Sequence, residues 1–399
     1  VLAIATAVAL LFSKLRLSVV PAFLVAGAFM GPSGAGLVTE IRMVETLAEF
    51  GVALFLFTVG LDFAVSNLGK MQRRVLWAGG AQVAATIVLS VIGLKIYGLD
   101  APVAIFVGFL LSLSSTAIVL KVYADRLETD SGHGRISFGI LLFQDLAAIP
   151  MMLLIPSLRE WEAGHPPEVL FTLLKAAGGV AAILLLARFL IPRLLREVIR
   201  INSREILALT VLMVVLGTAF LASKWGLPLG MGTFLAGMVI SESDYVHEIA
   251  AQILPFRDVF NGVSYVSVGM LLNLPFLAGN LPVVLLMVAG VVLMKAVSAG
   301  AAVRAIGYPW RSTVITAVGL AQIGEFSFLL LSQGARESLV TFAEYQYLLA
   351  ITILTMMATP FLMRAAPWAA GSFVRNVVRG GEQGEEAPGA ESPGAGRVE

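Results

Sequence analysis

Four ionisable residues stand in stretches that are otherwise apolar: Glu49, Asp145, Lys295 and Glu325. A charge at the centre of a bilayer costs roughly 2.5–3.5 kcal/mol, so each needs a reason to be there. Asp145 can do the most chemistry. Its helical neighbours three and four residues away are Leu141, Leu142, Ala148 and Ile149; none can pair with a carboxylate, so its partner must come from another helix. A carboxylate balanced between burial and neighbouring charge can exchange H⁺ for a metal cation near neutral pH. The structural alternative is a fixed ion pair tying two helices together. Gln144 beside it offers only a dipole, which leaves one titrating carboxylate here; one carboxylate most simply swaps one proton for one monovalent ion. Lys295 is read as a counter-charge near Asp145 that competes with a bound cation, or else as a side chain snorkelling to the membrane surface. Glu325 follows a polar interruption and is read as neutralising a half-helix N-terminus, with direct ion binding as the alternative. Glu49 either pairs with a basic group or lines a cavity.

The elements that position these groups are membrane helices. Of 399 residues, 58% are hydrophobic and 13% charged, with mean hydropathy +0.90, far from the roughly 25% charge of soluble domains. An ordinary soluble enzyme, a disordered chain and a nucleic-acid binder are excluded, the last also because 27 Lys and Arg face 26 Asp and Glu. With no cysteine, disulfides and zinc-thiolate sites are excluded too. Apolar stretches of about 20 residues predict thirteen spans, near 1–13, 19–31, 43–61, 75–94, 101–122, 136–156, 169–190, 205–223, 228–241, 256–273, 282–303, 312–334 and 345–363. Threaded this way with the N-terminus outside, twenty of the 27 Lys and Arg fall inside, six outside and Lys295 within a span, a strong positive-inside bias. The basic run 188–204 reads as an inside loop.

The spans divide as six, one and six. Residues 1–157 and 205–364 are expected to be inverted repeats joined by a linker helix and loops at 158–204, a hallmark of secondary transporters. The fifth span of each half carries a polar interruption, at 112–116 and 319–324, and the sixth carries a proline, Pro150 and Pro360. Broken helices at corresponding positions point to a transport site, because bare backbone at that depth is tolerated only where it lines a cavity. The membrane domain is expected to end by residue 379, and 380–399 is expected to be a disordered tail. No G-x-G-x-x-G unit follows a strand, so no nucleotide-binding domain is expected in this chain. His133, His165 and His247 fall in predicted loops without metal-ligand spacing. Thr58-Val59-Gly60-Leu61 lacks the remainder of a potassium filter. The small-residue pair Gly27 and Gly31 reads as close packing.

The run Gly139-Ile140-Leu141-Leu142-Phe143-Gln144-Asp145-Leu146-Ala147-Ala148-Ile149-Pro150 resembles the signature of Kef-type potassium/proton antiporters in the cation:proton antiporter-2 family. Residues 51–61, Leu113-Ser114-Ser115-Thr116-Ala117-Ile118, Gly232-Thr233-Phe234-Leu235-Ala236-Gly237, Val268-Gly269-Met270, Lys295 and Gly324-Glu325-Phe326 follow in that family's order. The resemblance implies the fold of bacterial sodium/proton antiporters with two discontinuous crossing helices. It implies a homodimer, with spans 4–6 and 11–13 moving against a scaffold of spans 1–3 and 8–10. Asp145 takes the ion- and proton-binding role, Ser114, Ser115 and Thr116 fall on the unwound crossing segment, and Lys295 and Glu325 fall on buried charged positions. A cytosolic nucleotide-binding regulatory domain, present in full-length Kef proteins, is not expected in this chain.

The expected protein is therefore an all-α polytopic membrane protein of a bacterial inner membrane, surrounded by lipid, with its C-terminus cytoplasmic. It is not expected to be an enzyme or to carry a cofactor. Its expected activity is exchange of K⁺ or Na⁺ for H⁺ at Asp145, with Gln144, Ser114, Ser115 and Thr116 around the ion. A sodium-coupled symporter of organic solutes and a cation channel are the alternatives.

Overall fold

A computed structural model of the chain describes residues 1–14, 19–38, 41–62, 73–162, 169–201, 203–225, 229–243 and 246–383. Among these the regular structure is helical throughout: α1 (Leu2–Lys14), α2 (Val19–Met30), α3 (Ile41–Asp62), α4 (Arg73–Ile96), α5 (Ala101–Ser112), α6 (Thr116–Asp125), α7 (Gly132–Glu162), α8 (Val169–Ile201), α9 (Arg204–Lys224), α10 (Leu229–Ser241), α11 (Val246–Met270), α12 (Leu274–Gly279), α13 (Leu281–Ala305), α14 (Trp310–Gly319), α15 (Phe326–Arg336) and α16 (Phe342–Gln383). An apolar solvent leaves backbone groups no partner outside the segment, which selects helices. Among the described residues, seven stretches are long and apolar enough to cross a membrane: Arg73–Ile96, Ala101–Asp125, Gly132–Glu162, Gly178–Val198, Glu205–Lys224, Leu281–Ala305 and Phe342–Ser372. Leu2–Lys14, Val19–Met30, Glu49–Leu61 and Gly230–Ser241 are shorter and apolar.

Helices or broken pairs of helices lie along the predicted stretches among the described residues, and the ends differ where polar residues extend a helix beyond its apolar part. The basic run expected as a loop continues α8 to Ile201. Ile191, Leu195 and Val198 are buried there while Arg193, Arg196, Glu197 and Arg200 are exposed; this is an amphipathic surface helix, which charge counting reads as loop. Similarly α16 runs to Gln383, into the segment expected as a tail, whose residues 384–399 lie outside the described ones.

Packing sorts the helices into two groups. In the first, α3 packs on α10 and α11, and α2 on α11 and α1. In the second, α4 packs on α5, α7 and α13, and α14 on α13, α16 and α7. The groups meet where α16 touches α2, and α8 bridges them by packing on α7 as well as on α9 and α10. Small residues let backbones approach inside the first group, as expected where lipid removes the hydrophobic drive between helices. A Cβ on Gly60 would overlap the Phe234 carbonyl, one on Gly237 that of Phe57, and one on Gly27 that of Val266. Gly237→Ala is therefore expected to push α10 off α3 and destabilise the protein by about 1–3 kcal/mol, read as a lower melting temperature in detergent. Gly178→Ala, with nothing within 4 Å of its new Cβ, is the control and should not lower it. An equal response of the two variants would refute the close-packing explanation.

Candidate ion-binding site

The site forms where the two broken helices meet. The first break, between α5 and α6, begins at Leu113 in extended backbone (φ −85°, ψ 144°) and ends at Ser115, also extended (φ −77°, ψ 113°). Ser115 caps α6 by accepting from Ile118 N at 3.2 Å. The second break separates Gly319 from Phe326. Unpaired backbone at this depth is expensive, and here each break supplies partners to the other. Gly324 N donates to Leu113 O at 3.1 Å, an approach open only to glycine, since a Cβ at Gly324 would collide with the Ser114 backbone. Gln322 Oε1 accepts from Ser115 N at 2.9 Å. The Ser114 hydroxyl donates to Leu320 O at 2.9 Å, and Ser327 Oγ donates to Leu110 O at 2.7 Å.

Asp145 on α7 is 8% exposed and accepts from Thr116 Oγ1 at 3.0 Å, on the first residue of α6. Thr116 is partly exposed and Ala117 exposed, so the pair borders open space. Of the neutral oxygens expected around Asp145, Thr116 supplies one. Ser114 and Ser115 also hold the crossing, as above. Gln144 does so as well. Its Oε1 accepts from Ser114 N at 2.7 Å and its Nε2 donates to Gln82 Oε1 at 2.6 Å.

Lys295 on α13 is fully buried, which removes the snorkelling alternative. Its Nζ donates to Leu113 O at 2.6 Å. Among the described residues it forms no ion pair with Asp145. Carbonyl contact holds the ammonium at the first break, where it faces the polar end of α5. Glu325 is 6% exposed. Its carboxylate faces the Ser115 side chain and the Ala117 backbone, at the first turn of α6, and its Oε2 has no hydrogen-bond partner among the described residues. It lies within electrostatic range of Asp145 and of Tyr265 on α11, so the crossing holds a second carboxylate where local sequence shows one.

Glu49 both pairs and lines a cavity. Its Oε1 accepts from Arg336 Nη2 at 2.7 Å, joining α3 to α15. The two residues stand at a cavity of about 760 Å³ between the helix groups, with Ser264 and Ser267 on one wall and Met152 and Gln333 on the other. Pro156 cannot donate to the Met152 carbonyl one turn back, and Gln333 Nε2 fills that vacancy at 3.0 Å.

Sequence reasoning passed over Gln82, Gln322 and Thr355. The last accepts from Ile323 N at 3.3 Å within the second break. A signal for Gln82 existed: Gln82, Thr86 and Ser90 recur every four residues in a charge-free span, a polar stripe on one helix face.

The sodium/hydrogen exchanger transmembrane family matches residues 1–364. The chain belongs to that family. Its exchanger relatives include K(+) efflux antiporter 6 of Arabidopsis thaliana, 34% identical over 355 residues, covering 88% of this chain and 59% of the relative. The glutathione-regulated potassium-efflux system protein KefC of Cronobacter sakazakii is 35% identical, over 88% of this chain and 57% of its own length. The chain thus spans little more than half of these relatives. Among solved structures, the sodium proton antiporter MjNhaP1 of Methanocaldococcus jannaschii shares the fold, with TM-score 0.70 and 16% identity over 92% of this chain and 95% of that one. The chain is an integral membrane protein.

Proposed function

We propose that this chain exchanges a monovalent cation for protons by alternating access, with Asp145 as the shared site. The observation that carries this reading is the Asp145–Thr116 contact at 3.0 Å, set where two interrupted helices cross in a sodium/hydrogen exchanger fold. A dehydrated cation needs a negative charge and neutral oxygens; Asp145 supplies the charge, Thr116 an oxygen, and Glu325 a second negative group in range. A proton satisfies the same carboxylate, so the two cargoes exclude each other. Lys295, bound to a carbonyl, acts in this reading on the crossing and not as a direct rival of the cation.

Alternating access takes the form of the α4–α7 and α13–α16 group sliding against the α1–α3 and α9–α11 group. The two-group packing and the cavity between the groups support this division. Thirteen spans, the inverted repeats at 1–157 and 205–364, a homodimer, an outside N-terminus and cytoplasmic C-terminus, and a bacterial inner membrane complete the proposal. They rest on the charge asymmetry and on family likeness. Two relatives are named for potassium efflux, which makes K⁺ the first ion to test.

The test is reconstitution in liposomes with a trapped pH dye and an imposed pH gradient, adding K⁺, Na⁺ and Li⁺ in turn. Cation-dependent collapse of the gradient is expected, and the ion ranking names the substrate. Verified folded protein that responds to none of the three would overturn the antiport reading.

A further inference from the structure

We propose that Gln82 is a positioning residue of the ion site, joined with Gln144 in an amide relay that holds the first break in the form presenting Thr116 to Asp145. This rests on the antiport reading. Gln82 lies on α4, three helices from Asp145 in the chain order, and is fully buried. Its Oε1 accepts from Gln144 Nε2 at 2.6 Å, and its Nε2 donates to Thr86 Oγ1 at 3.1 Å and to Ser112 O at 3.3 Å. Gln144 Oε1 accepts from Ser114 N at 2.7 Å.

The direction of this chain is fixed at both ends by backbone. Ser114 N can only donate and Ser112 O can only accept, so the order Ser114 to Gln144 to Gln82 to Ser112 has one polarity. Turning either amide over would set donor against donor or acceptor against acceptor, with a bare backbone group at membrane depth. The relay therefore clasps the break on both sides of Leu113. That residue's carbonyl is the one held by Lys295 at 2.6 Å and by Gly324 N at 3.1 Å. Two residues beyond Ser114, Thr116 meets Asp145, the neighbour of Gln144. The relay thus couples the α7 segment carrying the charge to the α5–α6 segment carrying its oxygen partner. It also explains why Gln144 stands next to the carboxylate without turning toward it. Thr86 extends the network to Ser298 on α13 at 2.9 Å, and Ser298 donates to Lys295 O at 3.0 Å, so the lysine's own helix is tied into it.

The experiment measures exchange kinetics in proteoliposomes for Gln82→Met, which keeps length and removes all three side-chain hydrogen bonds, with K⁺ and Na⁺ as probes. The apparent KM for the cation is expected to rise about tenfold with kcat within about twofold, the scale of one stranded buried polar group. Gln144→Met should give the same split, and the double variant no more than either single one, because both cut one chain. A role in packing alone would lower melting temperature and kcat and leave KM unmoved. Gln82→Asn, too short to reach both partners, repeats the test should the Met variant not fold. An unchanged KM in either folded Gln82 variant overturns the relay alone. If the unsubstituted protein exchanges neither ion, the antiport reading falls, and the relay's assignment falls with it.

Discussion

Asp145→Asn is expected to reduce cation-coupled proton movement below about one per cent of the unsubstituted rate, the scale of losing a charge-assisted interaction of about 3 kcal/mol. The substitution keeps side-chain shape, and its amide oxygen still accepts from Thr116 Oγ1, the contact seen at 3.0 Å. It removes the group that alternates between proton and cation. Stability should not suffer: replacing a buried, unpaired charge by a neutral polar group removes a desolvation penalty. The melting temperature in detergent is therefore expected to be unchanged or higher. The thermal stabilisation that a bound cation confers on the folded protein should disappear. Near-normal exchange by Asp145→Asn would sink the mechanism; low exchange from a poorly folded variant would contradict the stability argument instead.

Bridging positions 49 and 336 is expected to stop exchange. Glu49 and Arg336 form the ion pair that joins the two helix groups at the cavity; they stand 287 residues apart. Their side chains are 51% and 63% exposed, so the pair contributes at most about 1 kcal/mol, which the movement of one group against the other can break. A covalent link cannot be broken this way. The protein has no cysteine, so Glu49→Cys with Arg336→Cys supplies the only two thiols, and a reducible bifunctional thiol reagent can span the distance the two side chains filled. Before cross-linking the double variant should exchange near the normal rate, in keeping with the weak pair. After cross-linking the rate should fall to background, and a reductant should restore it. Full exchange by the linked protein would mean that α3 and α15 do not move apart, and the proposed division into moving and static groups would fail.

The membrane helices and both interruptions were legible in the amino-acid order because they depend on local partition. An apolar run of about 20 residues enters lipid whatever its neighbours are, and clusters such as Ser112-Leu113-Ser114-Ser115-Thr116 are poor helix formers in any setting. The breaks at 113–115 and 320–325 fall where those clusters lie. Asp145 was legible too, since a lone carboxylate in lipid is costly anywhere. Helix ends were less so: α8 continues to Ile201 because its basic residues occupy the face opposite Leu195, and a charge count ignores faces.

Partners inside the crossing could not be read from the chain. Glu325 stands 180 residues from Asp145, and only the juxtaposition of two broken helices brings a second carboxylate into range. Lys295 was expected as a counter-charge near Asp145 or as a side chain snorkelling to the surface; the rotation of α13 about its axis set it on Leu113 O. Gln144 and Asp145 are adjacent in sequence but about 100° apart on the helix. One therefore faces Gln82 and Ser114 while the other faces Thr116. Composition and order alone established which groups had to be buried and where the backbone had to open. The tertiary structure alone decided which buried group meets which, because that depends on helix rotation and crossing, and these are set by long-range packing at glycines such as Gly324, Gly60 and Gly237.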